Sequence, residues 1–180
     1  MRLAAAALVL ATCLAPGIAH AQGAAPAPAA PAAPFTFTMP QSRVVLKVAD
    51  TSLRPDPAAP ARPNYFKVMR RDPLLIVSGW LEPAARYNGL DAFWEAEKKS
   101  PVYSGPLAPI RVETLREGPW EVVAFDVALP GNGTQSNLRA ERVEAGTWID
   151  LHLSTASTRP PAALRTELRA ALRKIEVVQK

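Results

Sequence analysis

The sequence predicts an α+β domain in which an antiparallel, largely meander β-sheet is covered by two helices. Three observations lead there. Between residues 110 and 154, four β-type stretches follow one another through short turns, and such short connections force antiparallel neighbours. Two other stretches, residues 88–99 and the segment opening at Pro160-Pro161, carry apolar residues at helical spacing. An apolar leader and an Ala/Pro tract precede them all, which leaves residues 35–180, one domain by length.

The leader reads as an export signal. Arg2 supplies a positive start, residues 3–14 form a small-residue and Leu/Val-rich run, and Ala19-His20-Ala21 is a small-x-small cleavage site. Cleavage after Ala21 would start the mature chain at Gln22. The run falls short of the roughly 20 apolar residues that a membrane-spanning helix needs. Residues 22–34 are almost entirely Ala and Pro, so they read as a semi-rigid linker with nothing large to bury.

The remaining elements follow in order. Residues 43–49 are Val- and Leu-rich and alternate loosely, as a strand does. The proline-laden segment 52–63 is a loop. Residues 65–70 and 74–81 are strands joined by Arg71-Asp72-Pro73. The unbroken run Leu74-Leu75-Ile76-Val77 predicts a central strand covered on both faces. In the first helix, Asn88 and Asp91 stand close to a capping-box spacing. Leu90, Phe93, Trp94 and Glu97 share one face, and Glu95 and Lys99 can pair outside. Ser100-Pro101 ends it.

The meander comprises residues 110–116, 120–129, 135–144 and 147–154. Its turns are Glu117-Gly118-Pro119, the Asn-Gly-bearing Pro130-Gly131-Asn132-Gly133, and Ala145-Gly146. In the last strand Ile149, Leu151 and Leu153 face one way, and Trp148, Asp150, His152 and Ser154 face the other. The second helix carries Pro161 at its first position and an apolar stripe of Leu164, Leu168 and Leu172, extended by Ala171 and Ile175.

Composition excludes several chemistries. The one cysteine, Cys13, lies in the leader, so the mature chain has no disulfide, thiol nucleophile or cysteine-held cofactor. His152 is the one histidine left after cleavage, so a multi-histidine metal site is impossible. No P-loop, G-x-S-x-G elbow, dinucleotide fingerprint or EF-hand loop occurs, and no cofactor is expected. Removing the leader takes Arg2 and leaves 20 basic against 16 acidic side chains, net +4. The excess is concentrated after residue 158, which argues against nucleic acid, since that partner wants a broad basic footprint. Abundant Ala and Pro, with Arg in preference to Lys, suggest a GC-rich bacterial genome and hence the periplasm.

Leu10-Ala11-Thr12-Cys13 resembles the lipobox of bacterial lipoproteins, with Thr12 where that motif has a small residue. Lipidation at Cys13 is therefore an alternative, with the Ala/Pro tract as tether.

Two groups of residues could carry function. Asp150, His152 and Ser154 invite a catalytic triad, but neighbours two apart on a strand lie about 6.6 Å apart and point in parallel. A triad needs contacts near 3 Å with the imidazole in the middle. A polar sheet rim, or a ligand or partner contact at Trp148 and His152, fits the spacing better. Arg165, Arg169 and Arg173 run beside the leucine stripe, as snorkelling flanks or as a contact for an anionic membrane surface. Trp80, Trp94 and Trp120 read as core or sheet-edge aromatics.

Phe37-Thr38-Met39-Pro40 near the start, the run Gly146-Thr147-Trp148-Ile149-Asp150-Leu151-His152-Leu153-Ser154, and the closing helix resemble the Mog1/PsbP-like proteins. That resemblance implies an α/β/α sandwich over residues 35–178 and a non-enzymatic accessory role, and it transfers no catalytic residue. The expected function is thus a non-enzymatic periplasmic binding or assembly-accessory protein whose partner is an envelope protein or small ligand. Two alternatives stay open: a periplasmic hydrolase using the Asp150/His152/Ser154 face, and a peripheral envelope protein held through its basic C-terminal helix.

Overall fold

The computed structural model describes residues 33–180. The predicted leader, its cleavage site, Cys13 and all but the end of the Ala/Pro tract lie outside the described residues. The strands are β1 (Phe35–Phe37), β2 (Val44–Val48), β3 (Arg54–Pro55), β4 (Tyr65–Arg71) and β5 (Leu74–Pro83), followed by helix α1 (Leu90–Glu97). Then come β6 (Ile110–Glu117), β7 (Trp120–Leu129), β8 (Gly133–Glu144), β9 (Thr147–Ser157), helix α2 (Pro161–Leu172) and β10 (Ile175–Gln179). The class is α+β, with two α-helices on mostly antiparallel sheet. None of the described helices is long and apolar enough to cross a membrane.

The main sheet has seven strands in the order β3-β4-β5-β9-β8-β7-β6. The meander β6 to β9 is present as expected. The β4–β5 hairpin joins it because the chain, after β5, crosses one face of the sheet through α1 and begins the meander at the far edge. The returning β9 then pairs with β5, Ser78 opposite His152 and Trp80 opposite Asp150. A second sheet of three strands, β1-β2-β10, shares no hydrogen-bonded strand pair with the first.

Period-two alternation decides which side is core. Phe66, Val68, Leu75, Val77, Leu81, Leu138, Ala140, Ile149, Leu151 and Leu153 line one face of the main sheet. They pack against Val44, Leu46 and Val48 of β2, Ile175 of β10, and Leu168 and Leu172 of α2. Each fully buried Leu or Val contributes about 1.5–3 kcal/mol relative to exposure. On the opposite face the apolar area is smaller: Val123, Phe125 and Val127 of β7 receive Leu90 and Trp94 of α1 and Tyr103 beyond it.

Several expectations are corrected. Ile175 does not extend the helical stripe. It starts β10, whose residues 175–179 pair with β2 from Val48 back to Val44. β-Branched Ile175, Val177 and Val178 suit a strand, and the helix has already closed at Arg173. β1 and β3 are additional strands; β1 places Phe35 and Phe37 with ring centroids 5.7 and 5.0 Å from Phe66. α1 is capped by the backbone of Gly89 at φ 92°, with no side-chain bond from Asn88. Glu95 pairs with Lys98, one residue short of Lys99. β5 is internal, but within the run Leu74-Leu75-Ile76-Val77 only Leu75 and Val77 are fully buried, while Leu74 and Ile76 are half-buried on the more polar face.

Candidate functional site

The site lies on the α1 face of the main sheet and is organised by the β8–β9 turn. Ala145 and Gly146 both have positive φ, 47° and 79°. This is the backbone that a tight two-residue hairpin requires. It sets Glu144 opposite Thr147, and every lower pair follows: Glu141 opposite Asp150, Arg139 opposite His152, Asn137 opposite Ser154. Trp148, Asp150, His152 and Ser154 therefore share one face, as period two predicts.

Their bonding differs from a triad. Asp150 Oδ2 accepts from Arg139 Nη2 at 2.9 Å. His152 Nε2 donates to Asn137 Oδ1 at 3.0 Å, an oxygen that also accepts from Gln135 at 2.9 Å. Among the described residues no hydrogen bond joins Asp150, His152 and Ser154 to one another. Burial, helped by the Arg139 charge, pushes the His152 imidazole down to about 3. It is neutral throughout the physiological range.

α1 roofs this face with the residues that share its inner side. Phe93 sits edge-on to Trp148 with centroids 6.1 Å apart, and the Arg139 guanidinium lies 5.0 Å from the Phe93 ring centre. Glu97 Oε1 approaches Arg139 Nε at 3.7 Å. Tyr87, in the approach to α1, lies 5.4 Å from Trp148 and donates to Glu121 at 2.7 Å. Beneath them Trp148 Nε1 donates to Glu141 Oε2 at 2.7 Å. A groove of about 270 Å³ runs past Tyr87, Arg116, Glu121 and Glu141. A smaller one of about 180 Å³ opens at Tyr87, Phe93 and Trp148.

The sequence reading misses Arg139, Glu141, Asn137, Tyr87 and Glu97. A signal for the first three exists. Counting back in pairs from the Ala145-Gly146 turn sets Glu141, Arg139 and Asn137 across from Asp150, His152 and Ser154. No comparable local signal places α1 over them.

The arginine stripe lies on the other face. Arg165 reaches Asp126 Oδ2 at 2.8 Å and Glu113 at 3.3 Å. Arg169 and Arg173 share Glu117 at 2.5 and 2.6 Å. The three guanidiniums thus meet three carboxylates of β6 and β7; Arg165 is largely covered, while Arg169 and Arg173 stay about half exposed beside Glu117. Asp126 has no exposed side-chain surface, and it also accepts from Arg111 at 2.7 Å and Ser136 at 2.6 Å. Burial pushes its carboxyl up, but the bonds from Arg165, Ser136 and Arg111 outweigh that and hold it below the ordinary range. The tryptophans divide as follows. Trp120 is buried core, Trp94 packs on Phe125 at 5.1 Å, and half-buried Trp80 stacks on Tyr65 at 4.6 Å under Arg62.

Among the described residues no three His, Cys, Asp or Glu side chains are grouped to hold a metal ion. No protein-family model matches the chain, and no curated protein matches it.

Proposed function

We propose that this chain is an exported, non-enzymatic binding or assembly-accessory protein of the periplasm, and that the polar face of β4, β5 and β9 is its contact surface. One observation carries the reading. The side chains on that face best suited to acid–base chemistry are already committed: His152 to Asn137, and Asp150 to Arg139. General acid–base work needs a group within reach of a substrate proton and of a matching pKa. A neutral imidazole pushed far down, with its N–H spent on an amide, meets neither requirement well. The half-buried aromatics Tyr65 and Trp80 lie on β4 and β5, past the β7, β8 and β9 residues that α1 packs on, and suit a partner with an apolar, amphipathic edge. The likeness to the Mog1/PsbP-like arrangement supports an accessory role, and the leader supports export.

A photo-crosslinking side chain at Lys67, on the same face, should trap a discrete envelope partner, whereas the same probe at Val178 should not. The mature chain should begin at Gln22 by N-terminal mass, whereas a diacylated Cys13 would assign a tethered lipoprotein. If the protein hydrolyses an ester panel, and both His152→Ala and Ser154→Ala abolish that activity with the fold intact, the hydrolase reading replaces this one.

A further inference from the structure

Glu141 has no exposed surface and Asp150 has 7%. They stand directly opposite in the β8–β9 register, where side chains approach to within about 5 Å at Cβ. Each carboxyl has one satisfied oxygen: Glu141 Oε2 by Trp148, Asp150 Oδ2 by Arg139. The other two oxygens, Glu141 Oε1 and Asp150 Oδ1, are buried and without a donor. Two ionised carboxylates turned toward each other out of water would repel with nothing between them. One proton converts both orphan acceptors into a single O–H···O bond, a strong charge-assisted type.

The surrounding charges argue the same way. Arg139 of β8 is the guanidinium that faces this pair, and it also faces Glu97 of α1. His152 of β9 is neutral. Glu82 of β5 is engaged by Arg86, and Glu121 of β7 by Tyr87 and Arg116. Tyr103, beyond α1, has its phenol pushed up to about 12 by burial and then Glu97, so it stays neutral and adds no charge of either sign. With three carboxyl groups around one buried cation, protonating one of them halves the excess negative charge, from −2 to −1. We propose that Glu141 and Asp150 hold one proton between them, and that this proton latches α1 onto the sheet. Its removal would place an uncompensated charge beneath Phe93 and Glu97, the two α1 side chains that rest on Trp148 and Arg139. Burial first, and the Asp150 charge second, push the Glu141 carboxyl up to about 10.

The test uses the full mature protein with carbon-13 at the Glu and Asp carboxyls, followed by NMR through an alkaline titration. The expected result is one carboxyl that remains protonated at neutral pH and is missing from Glu141→Gln. Amide exchange across residues 90–97 should accelerate as that carboxyl ionises, and should not respond to the same pH change in Glu141→Gln. If every carboxyl of the folded native protein is ionised at neutral pH, the shared proton is disproved without any variant. If the proton is present but exchange in α1 is indifferent to its loss beyond the ordinary base catalysis seen elsewhere, the latch is disproved. Should Glu141→Gln fail to fold, Asp150→Asn serves instead, and there the late-titrating carboxyl should move down.

Discussion

Arg139 is the residue on which the α1 face depends. Its guanidinium answers Asp150 at 2.9 Å and Glu97 at 3.7 Å, and its Nε is itself buried without a hydrogen-bond partner. A pair this deep gains little over an apolar replacement of both members, yet removing one member strands the other. Arg139→Met should therefore cost about 3–5 kcal/mol in urea denaturation, and Arg139→Met combined with Asp150→Asn should recover part of it. A loss below about 1 kcal/mol for the single change would mean that the site is solvated and carries surface-type ion pairs. At this scale the sequence was half legible. Period two separates Trp148, Asp150, His152 and Ser154 from Ile149, Leu151 and Leu153. It also shows that a triad along one strand is strained. Which groups saturate Asp150 and His152 depends on the neighbouring strand, and only its register, set by the Ala145-Gly146 turn, brings Arg139 and Asn137 to them.

At the scale of elements, the β8–β9 turn is functional geometry held by an ill-suited residue. Ala145 sits at φ 47°, a left-handed conformation in which Cβ crowds the carbonyl. Asn tolerates that region, and Asn-Gly is the preferred pair for such a turn. Ala145→Asn should raise stability by about 0.5–1 kcal/mol with the register unchanged; a thermal melt together with the unaltered Trp148 environment checks both parts. Helix α2 makes the complementary case. Leu164, Leu168 and Leu172 are fully buried, so Leu168→Ala should cost about 2–5 kcal/mol. Arg169→Ala, which removes one of two cations at Glu117, should shift the melting temperature little. Equal effects would mean that the helix is held by its ion pairs. The helices and the meander were readable because their signals are local: a stripe at i,i+4, or a turn between two alternating runs. β10 was not, because its partner β2 lies more than a hundred residues earlier. A five-residue Ile/Val stretch directly after an apolar helical stripe carries no turn signal to mark the change of period.

For the whole molecule, two buried carboxyl systems on opposite faces of one sheet give stability a direction in pH. Asp126 lies on the α2 face and its folded pKa is depressed below 3.8. Its contribution is complete above the unfolded value and is lost as pH falls through the folded one. Glu141 lies on the α1 face and its folded pKa is raised from 4.5 to about 10. Its contribution is complete below the unfolded value and declines as pH rises, because across that window the folded chain holds a proton that the unfolded chain has released. One proton corresponds to at most about 1.4 kcal/mol per pH unit. Stability should therefore peak in mild acid, fall steeply on the acid side through Asp126, and decline steadily toward alkali through Glu141. The two limbs separate by substitution. Glu141→Gln, neutral in both states, should flatten the alkaline limb and exceed the parent protein there, leaving the acid limb in place. Asp126→Asn should be the weaker protein at neutral pH, since it leaves Arg111 and Arg165 without their shared carboxylate, and should converge on the parent in acid. Urea midpoints measured across pH decide it. An alkaline limb that keeps its slope in Glu141→Gln would show that the proton taken up on folding resides elsewhere.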